Sequence, residues 1–538
     1  MPKQTFRLPH IYKFNFDTGF TEPYYSNSNL YYQYKLVSTS NPIIYDLGFS
    51  RYSSDTRIVD FTSINGLYDD TVGVDIEAQI PLFFKQRNTI KVPNKVEYAI
   101  RKHLTSYLHQ IHPEKEVAKE LCLLMLAQLN STHFDIKAGR DTSGWKRLKA
   151  EYLQNLISNE PTAYKNIIEV LQTPLRKGQI LEVDPDYAMG SYSRKYRLGE
   201  PYRAKGISLY ELRTKTAINA FKRYQLGLLD TASDNPICQN LIRFYPSVKL
   251  PTIDQLKAEA KRLIKLDYTT KKGKTLKFLN KHSREYFANP EQYSFVEDAI
   301  EIFEYLTDNG LMVPCVGGEE SGGRVVDSFT LMPSWIRRLV KVDDKIHVEA
   351  DYSCLHPNIA IAEYGGRLEY LTHGDVALEL NTNVSVVKTE HLSFFNRTTQ
   401  QMKESPLWPY YQKHEPDMLQ KIVREKLQSQ FKYKATSRML FKKEVGIMTE
   451  VIKQLNAKNI YVGYVYDALF CSPKQTELVN RTMNEVIERL GVKTEAKVST
   501  GKKYNPLVEE LKERRYGDMR TKYLNPILVE NFSEYIHA

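Results

Sequence analysis

The spacing of apolar side chains changes along this 538-residue chain, and each change predicts a different kind of element. Up to about residue 90, Tyr, Phe, Ser, Asn and Asp dominate, and the β-branched runs NPIIYDLGF and TVGVDIEAQIPLFF predict short strands joined by turns. From Val96 the apolar residues recur every three or four positions. KVEYAIRKHLTSYLHQI and, beyond Pro113, EKEVAKELCLLMLAQL therefore predict a pair of helices. Further helices are expected over 146–172 and 207–229, on either side of the turn-rich stretch DPDYAMGSYSRKYRLGEPYRAKG. Two prolines in RFYPSVKLPT mark a boundary. A helix is expected over 291–308, and the Gly-rich loop CVGGEESGGR then ends on Arg324.

Two later segments carry the sharpest patterns. In KIHVEADYSCLHPNIAIAEYGG, residues 345–366, Ile346, Val348 and Ala350 alternate with His347 and Glu349, which predicts a strand with one buried face ending on Asp351. Pro357 stops it, and NIAIAEYGG predicts a short helix closed by a glycine pair. In NIYVGYVYDALFCSP, residues 459–473, the runs IYVGYV and ALFCS flank Tyr466 and Asp467, so a tight hairpin presents an acid at its apex. FKKEVGIMTEVIKQL and KQTELVNRTMNEVIERL predict helices on either side. This order puts two carboxylates on neighbouring strands of one antiparallel sheet with helices behind it.

Composition narrows the class. With 42% hydrophobic and 26% charged residues, the chain is not a disordered, collagen-like or coiled-coil protein. Lys plus Arg total 75 against 64 Asp plus Glu, and the net charge of +11 favours a polyanionic partner such as nucleic acid. Residues 251–286 hold ten basic against four acidic residues, with Lys271, Lys272 and Lys274 interleaved among Tyr268, Phe278, Tyr286 and Phe287. That pattern suits tracking a phosphate backbone, and it equally suits a solvated helix face. Cys122, Cys238, Cys315, Cys354 and Cys471 form no CxxC pair, so idle thiols in a reducing compartment are expected. MPKQTFRLPH lacks a signal peptide's apolar core, and no run approaches about 18 apolar residues, which points to the cytoplasm and to no membrane association.

Two carboxylates at neighbouring strand ends suit a pair of Mg²⁺ ions about 3.5–4 Å apart, one activating a hydroxyl and one stabilising a leaving pyrophosphate. Phosphoryl transfer asks the protein for position and charge neutralisation rather than covalent chemistry. Either aspartate alone reads as a turn or strand-end residue; their joint context gives them chemical meaning.

At these residues the chain resembles a known family. IRRLVKVDDKIHVEADYS resembles the segment entering motif A of family A DNA polymerases, where paired arginines precede an apolar strand ending in Asp-Tyr-Ser. VYDALF is similar to motif C, the hairpin acid shared with single-subunit phage RNA polymerases. SGGR, 27 positions before Asp351, resembles the Thr-Gly-Arg element that contacts primer–template. THGDVALEL with VVKTEHLSFFN resembles the lead-in and O-helix of the fingers, and WPYYQKHEPDML the aromatic stretch that follows. All occur in the family's order between residues 316 and 500.

The resemblance implies a multidomain α/β right-hand polymerase with an antiparallel palm sheet and reduced helical fingers. Residues 316–500 would be palm and fingers, 246–315 a basic helical thumb-like region, 1–245 a separate region of unknown role, and 501–538 a tail packing on the core. Asp351 and Asp467 would be the catalytic ligands of two Mg²⁺ ions, or Mn²⁺ in their place, helped by the backbone carbonyl of Tyr352. Lys388, His356, Phe395 and Arg397 would meet the nucleotide, and Arg324, Arg337, Arg338, Tyr466, Lys271, Lys272 and Lys274 the nucleic acid. The implied partners are a DNA primer–template, or RNA, and nucleoside triphosphates, with the chain a monomer in a bacterial or phage-infected cytoplasm.

The chain also departs from the family. His356 stands where a glutamate helps exclude ribonucleotides, and Tyr466 and Ala468 replace the usual motif C histidine and glutamate. Val384 replaces the O-helix arginine, Asn396-Arg397 replace a Tyr-Gly, and 116 positions between the two acids leave room only for short fingers. These departures keep open an RNA polymerase, a reverse transcriptase, a nuclease, and a binding protein with a degenerate palm. Asp75, Glu77, Asn130, Phe134 and Asp135 suggest a proofreading nuclease, against which the intervening chain reads as helices rather than strands.

Overall fold

A computed structural model describes residues 11–15, 20–24, 88–137, 143–157, 162–187, 193–270, 273–279, 292–307 and 310–500. Helices and short strands are mixed throughout, and the strands form several small sheets. Two compact units result, one of residues 1–231, 280–292 and 304–313, the other of 232–279, 293–303 and 314–538. Among the described residues no helix is long and apolar enough to cross a membrane.

The first unit is built on the helix Lys115–Ala127, in which every residue from Val117 to Leu126 is buried. A helix that is apolar on all sides has to be enclosed rather than laid on a surface. It also brings one acid inside. Glu120 accepts hydrogen bonds from the backbone N–H groups of Arg213 and Thr214 at 2.7 and 2.9 Å, just before the helix Lys215–Ser233 begins. A carboxylate at a helix N-terminus meets free N–H groups and a favourable dipole, which lets it stay buried. The strand Thr89–Pro93 pairs antiparallel with Ile207–Glu211. Asn130–Lys137 is a helix with Phe134 packed on Tyr305, not a strand of a nuclease sheet. Asp75, Glu77, Lys271, Lys272 and the tail 501–538 lie outside the described residues.

The second unit opens with the helix Pro236–Phe244, capped by the Asn235 side chain. The helix Ile253–Ile264 follows, started by a Thr252–Gln255 capping box. The basic stretch then leaves the helix, and Thr275–Lys277 forms a strand paired in parallel with Tyr293–Phe295. Lys274 sits half-buried in the tight turn before that strand, its N–H bonded to the Thr270 hydroxyl. Strands β1 (Cys315–Val316) and β2 (Val325–Val326) flank the Gly-rich loop.

Strand β3 (Val348–Tyr352) leads through Ser353 and Cys354 into helix α1 (Leu355–Tyr364). Pro357 falls in the first turn of α1, where its missing N–H costs nothing, and Gly365 closes the helix at φ 65°. The expected alternation holds from Val348 onward. Ile346 instead is 41% exposed, paired with Lys341 in a separate hairpin, and His347 is buried with Nδ1 2.9 Å from the Val340 carbonyl. Helices α2 (His373–Glu379), α3 (Val384–Phe394), α4 (Leu407–His414) and α5 (Pro416–Gln428) follow. They bury Phe394, Tyr411, Met418 and Ile422. Lys426 of α5 is buried too, held by the carbonyls of Phe395, Arg397 and Tyr433 at 2.7, 3.0 and 2.5 Å.

The chain ends its described course with α6 (Ala435–Asn456), the hairpin β4 (Gly463–Val465) and β5 (Ala468–Cys471), α7 (Thr476–Arg489) and β6 (Ala496–Thr500). The four strands form one antiparallel sheet in the order β4-β5-β3-β6. Helix α7 lies along it, and the Tyr352 hydroxyl reaches under the sheet to the Met483 carbonyl at 2.7 Å. Asn240 clamps the chain entering β4 by bonding both the N–H and the carbonyl of Val462. Gly463 sits in a tight place, where a Cβ would stand 3.0 Å from the Phe244 ring and 3.1 Å from Phe470.

Candidate functional site

The register of the four-stranded sheet sets the site. Asp351 of β3 lies opposite Ala468 of β5 on one side and Lys497 of β6 on the other. Val465 pairs with Ala468, so Tyr466 and Asp467 alone make the turn. Asp467 is therefore next in sequence to the residue that faces Asp351, and its carbonyl accepts the Tyr352 N–H at 3.4 Å. Tyr466 holds φ 58°, a left-handed conformation that costs a side-chain-bearing residue about 1 kcal/mol or more.

An ionic cluster fixes that turn. Arg324, at the end of the Gly-rich loop, lies between the rings of Phe441, 3.8 Å away, and Tyr466, 4.7 Å away. Its guanidinium grips Glu444 of α6 with both ends, Nε to Oε1 at 2.7 Å and Nη2 to Oε2 at 2.5 Å. His356 of α1 places Nε2 2.7 Å from the same Oε2. A carboxylate only accepts, so that nitrogen carries the proton, and its 3.3 Å approach to Arg324 Nη2 is a contact between two donors. The Glu444 side chain is 1% exposed. Burial works against its charge, but the hydrogen bonds from His356 and Arg324 outweigh burial and hold its carboxyl below the usual range. Asp467 goes the other way. Burial first, and then repulsion from Glu444, lift it to about 6, while His356 and Arg324 pull it back only in part.

The loop that delivers Arg324 is pressed on α6. Gly322 has φ 64°, and a Cβ there would lie 2.5 Å from the Lys442 nitrogen. Only glycine meets both conditions.

The other expected site residues lie at varying distances from this cluster. Arg337 donates to the Phe329 carbonyl at 2.7 Å and covers the Phe470 ring of β5, and burial lowers its pKa. Arg338 is half-buried beside it. Lys388 is half-buried on α3, close enough to His373 for its charge to be felt there. Phe395 is buried against Phe394 and Tyr411, and Arg397 is held by Glu390 through two hydrogen bonds of 2.7 and 3.2 Å. The structure thus brings Asp351, Asp467, Tyr352, Tyr466, Arg324 and His356 together. It seats Phe395 and Arg397 in the packing of the helical layer.

Glu444 was not among the expected residues, although its position carries a signal. Leu440, Glu444, Ile447, Met448, Val451 and Leu455 share the buried stripe of α6, and an acid on such a stripe needs buried partners. A second group is equally unannounced by spacing: Cys354, His373 and His391 each bring one potential ligand atom, the cysteine Sγ and a nitrogen of each ring, within 4.8 Å of one another. Four of the five cysteines are buried and Cys315 is exposed.

Asp351 and Asp467 offer hard carboxylate oxygens, the donor type that Mg²⁺ or Mn²⁺ prefers, at a point where burial and Glu444 already oppose ionisation of Asp467. The donor set therefore fits a hard divalent cation.

No protein-family model and no curated protein matches the chain. Among solved structures it is similar to the POL domain of Pol1 from M. smegmatis, determined in complex with DNA primer-template and dNTP. That similarity spans 54% of this chain and 76% of the other at 12% identity, with a TM-score of 0.33.

Proposed function

We propose that the chain is a template-directed nucleotidyltransferase that extends a 3′-hydroxyl with nucleoside triphosphates, making DNA on a DNA primer–template. The observation that carries this reading is the register of β3 against β5, which sets Asp351 beside the hairpin acid Asp467 in one antiparallel sheet. The likeness of the surrounding segments to motifs A and C of family A polymerases supports it. In this reading the four-stranded sheet is the palm and α2–α5 are short fingers.

Asp351 and Asp467 would hold Mg²⁺, with the Tyr352 carbonyl as a further oxygen. When bound, the metal lowers the pKa of the attacking hydroxyl and neutralises charge on the phosphates. The chain's own residues do the rest. The Asn240 clamp and the Arg324–Glu444–His356 cluster hold the Asp467 turn in place, and the turn's position relative to β3 is set by backbone pairing. Lys388 of α3 supplies a cation for the triphosphate, and Gly323, with nothing nearer than 4.0 Å to a Cβ there, lets a nucleic-acid backbone approach the loop that carries Arg324. His356 stands at the sugar-selecting position with its Nε2 proton committed to Glu444, so it presents a fixed ring edge rather than a carboxylate.

Primer extension by full-length wild type, Asp351→Asn and Asp467→Asn tests the proposal. Both variants should lose extension by at least about a thousandfold while retaining salt-sensitive DNA binding. Extension by both at wild-type rate would sink the reading. Binding without any divalent-dependent turnover in the wild type would leave a nucleic-acid-binding protein instead. Incorporation of dNTPs against rNTPs, with His356→Glu alongside, identifies the product.

A further inference from the structure

The Cys354, His373 and His391 cluster belongs to none of the roles above. Cys354 occupies the cap position of α1 at φ 50°, three residues beyond Asp351, and is buried. A left-handed cysteine carries a steric cost that a glycine or asparagine avoids, so something else holds the thiol where it is. Its Sγ points at Nδ1 of His373, 3.5 Å away, and that Nδ1 is 3.1 Å from Nδ1 of His391. His373 opens α2 and His391 lies near the end of α3, so three separate elements supply the three atoms.

Hydrogen bonding alone is a poor account of this meeting. The single Nδ1 of His373 faces both a thiol and another ring nitrogen, and one nitrogen bears either one proton or one lone pair. Coordination accounts for it directly. With roughly 2.3 Å for Zn–S and 2.0–2.1 Å for Zn–N, tetrahedral edges are about 3.6 Å between S and N and about 3.3 Å between two N atoms. Two of the three edges, at 3.5 and 3.1 Å, are close to those lengths, and the third, from Cys354 to His391, is within 4.8 Å. An outer partner is present as well: Nε2 of His391 is 2.8 Å from the buried Tyr411 hydroxyl, which helps fix the ring.

We propose that Cys354, His373 and His391 form a Zn²⁺ site with one coordination position left for water. On binding, the Cys354 thiol releases its proton to solvent and the thiolate offsets one of the two charges of the metal. The metal staples the exit of β3 to α2 and α3, and so ties the strand carrying Asp351 to the helix carrying Lys388. The site stands apart from the polymerase reading, because metal uptake is measured without any turnover.

The test uses the full chain purified without a metal-affinity tag, stripped with a chelator and titrated with Co²⁺ and then Zn²⁺. One equivalent of Co²⁺ should bind with a thiolate-to-cobalt charge-transfer band, and Zn²⁺ should displace it. Zn²⁺ should also slow alkylation of Cys354 at least about tenfold, with exposed Cys315 as the internal control. Cys354→Ser should abolish the band. Wild type that takes up no stoichiometric metal, or alkylation of Cys354 indifferent to Zn²⁺, would overturn the proposal. So would a charge-transfer band that survives in Cys354→Ser.

Discussion

The Glu444–Arg324 pair is the point where stability and site geometry meet, and its strength can be worked from the structure. The two side chains are 1% and 18% exposed, with charge-assisted contacts of 2.7 and 2.5 Å. Breaking a buried pair by removing one partner costs about 3–5 kcal/mol, because the survivor keeps its charge without its counter-charge. Arg324→Met leaves Glu444 with His356 alone, so about 3 kcal/mol is expected. Glu444→Met leaves Arg324 with the nearby Asp467 charge, so its cost is also near the lower end, about 3 kcal/mol. Removing both at once exchanges a desolvated pair for apolar volume, and the double variant should lose only about 1–2 kcal/mol. The coupling energy is then about 4 kcal/mol, read from urea unfolding of the four full-length proteins at constant m-value. If the two single losses add to within about 0.5 kcal/mol, the side chains do not depend on each other and the cluster does not brace the hairpin.

Two further outcomes follow from the same site. Gly322→Ala, at φ 64° with backbone 2.5 Å from the new Cβ, should cost at least about 2 kcal/mol in thermal unfolding, whereas Gly323→Ala, at φ 80° with nothing nearer than 4.0 Å, should cost only about 1 kcal/mol. Asp467 has its folded pKa raised to about 6, so the native state binds a proton that the unfolded chain releases, and metal-free stability is fully present below about pH 4 and falls as pH rises through about 6. A divalent cation binds the ionised carboxylate, so the Mg²⁺ needed for half-maximal extension should rise about tenfold per pH unit below about 6 and level off above it; a flat Mg²⁺ requirement across that range would contradict the assignment.

Sequence made some of this legible and hid the rest, for identifiable reasons. The β4–β5 hairpin was readable because two β-rich runs leave only Tyr466 and Asp467 between them, and α1 was readable from its glycine pair. Both are local signals. The alternation of Ile346 and His347 misled, because the chain changes sheets at His347: Ile346 pairs outward with Lys341 while β3 begins at Val348. The resemblance implies that Phe395 and Arg397 meet the nucleotide; in the structure Phe395 packs against Tyr411 and Arg397 bonds Glu390, contacts that no periodicity encodes. Glu444 lies 120 positions from Arg324 and 88 from His356, a contact that no periodicity encodes. The meeting of Cys354, His373 and His391 is hidden likewise, with no CxxC-type spacing to announce it.

Charge balance joins these features. Around the hairpin stand the carboxylates of Asp351, Asp467 and Glu444, with the Arg324 guanidinium held on Glu444, while Lys497, opposite Asp351 in the register, lies 3.4 Å from Glu495. Burial and the Glu444 charge together oppose the ionised form of Asp467, and an enclosed carboxylate answers that with a compensating partner. A proton is one response, and the rise of Asp467 to about 6 is its visible form. In the proposed reading a divalent cation is the other, held at the neighbouring strand ends that carry the two aspartates. Proton and cation therefore compete for one deficit. Glu444 adds to it: its own charge repels the Asp467 carboxylate, while the Arg324 guanidinium that it holds pulls Asp467 back only in part.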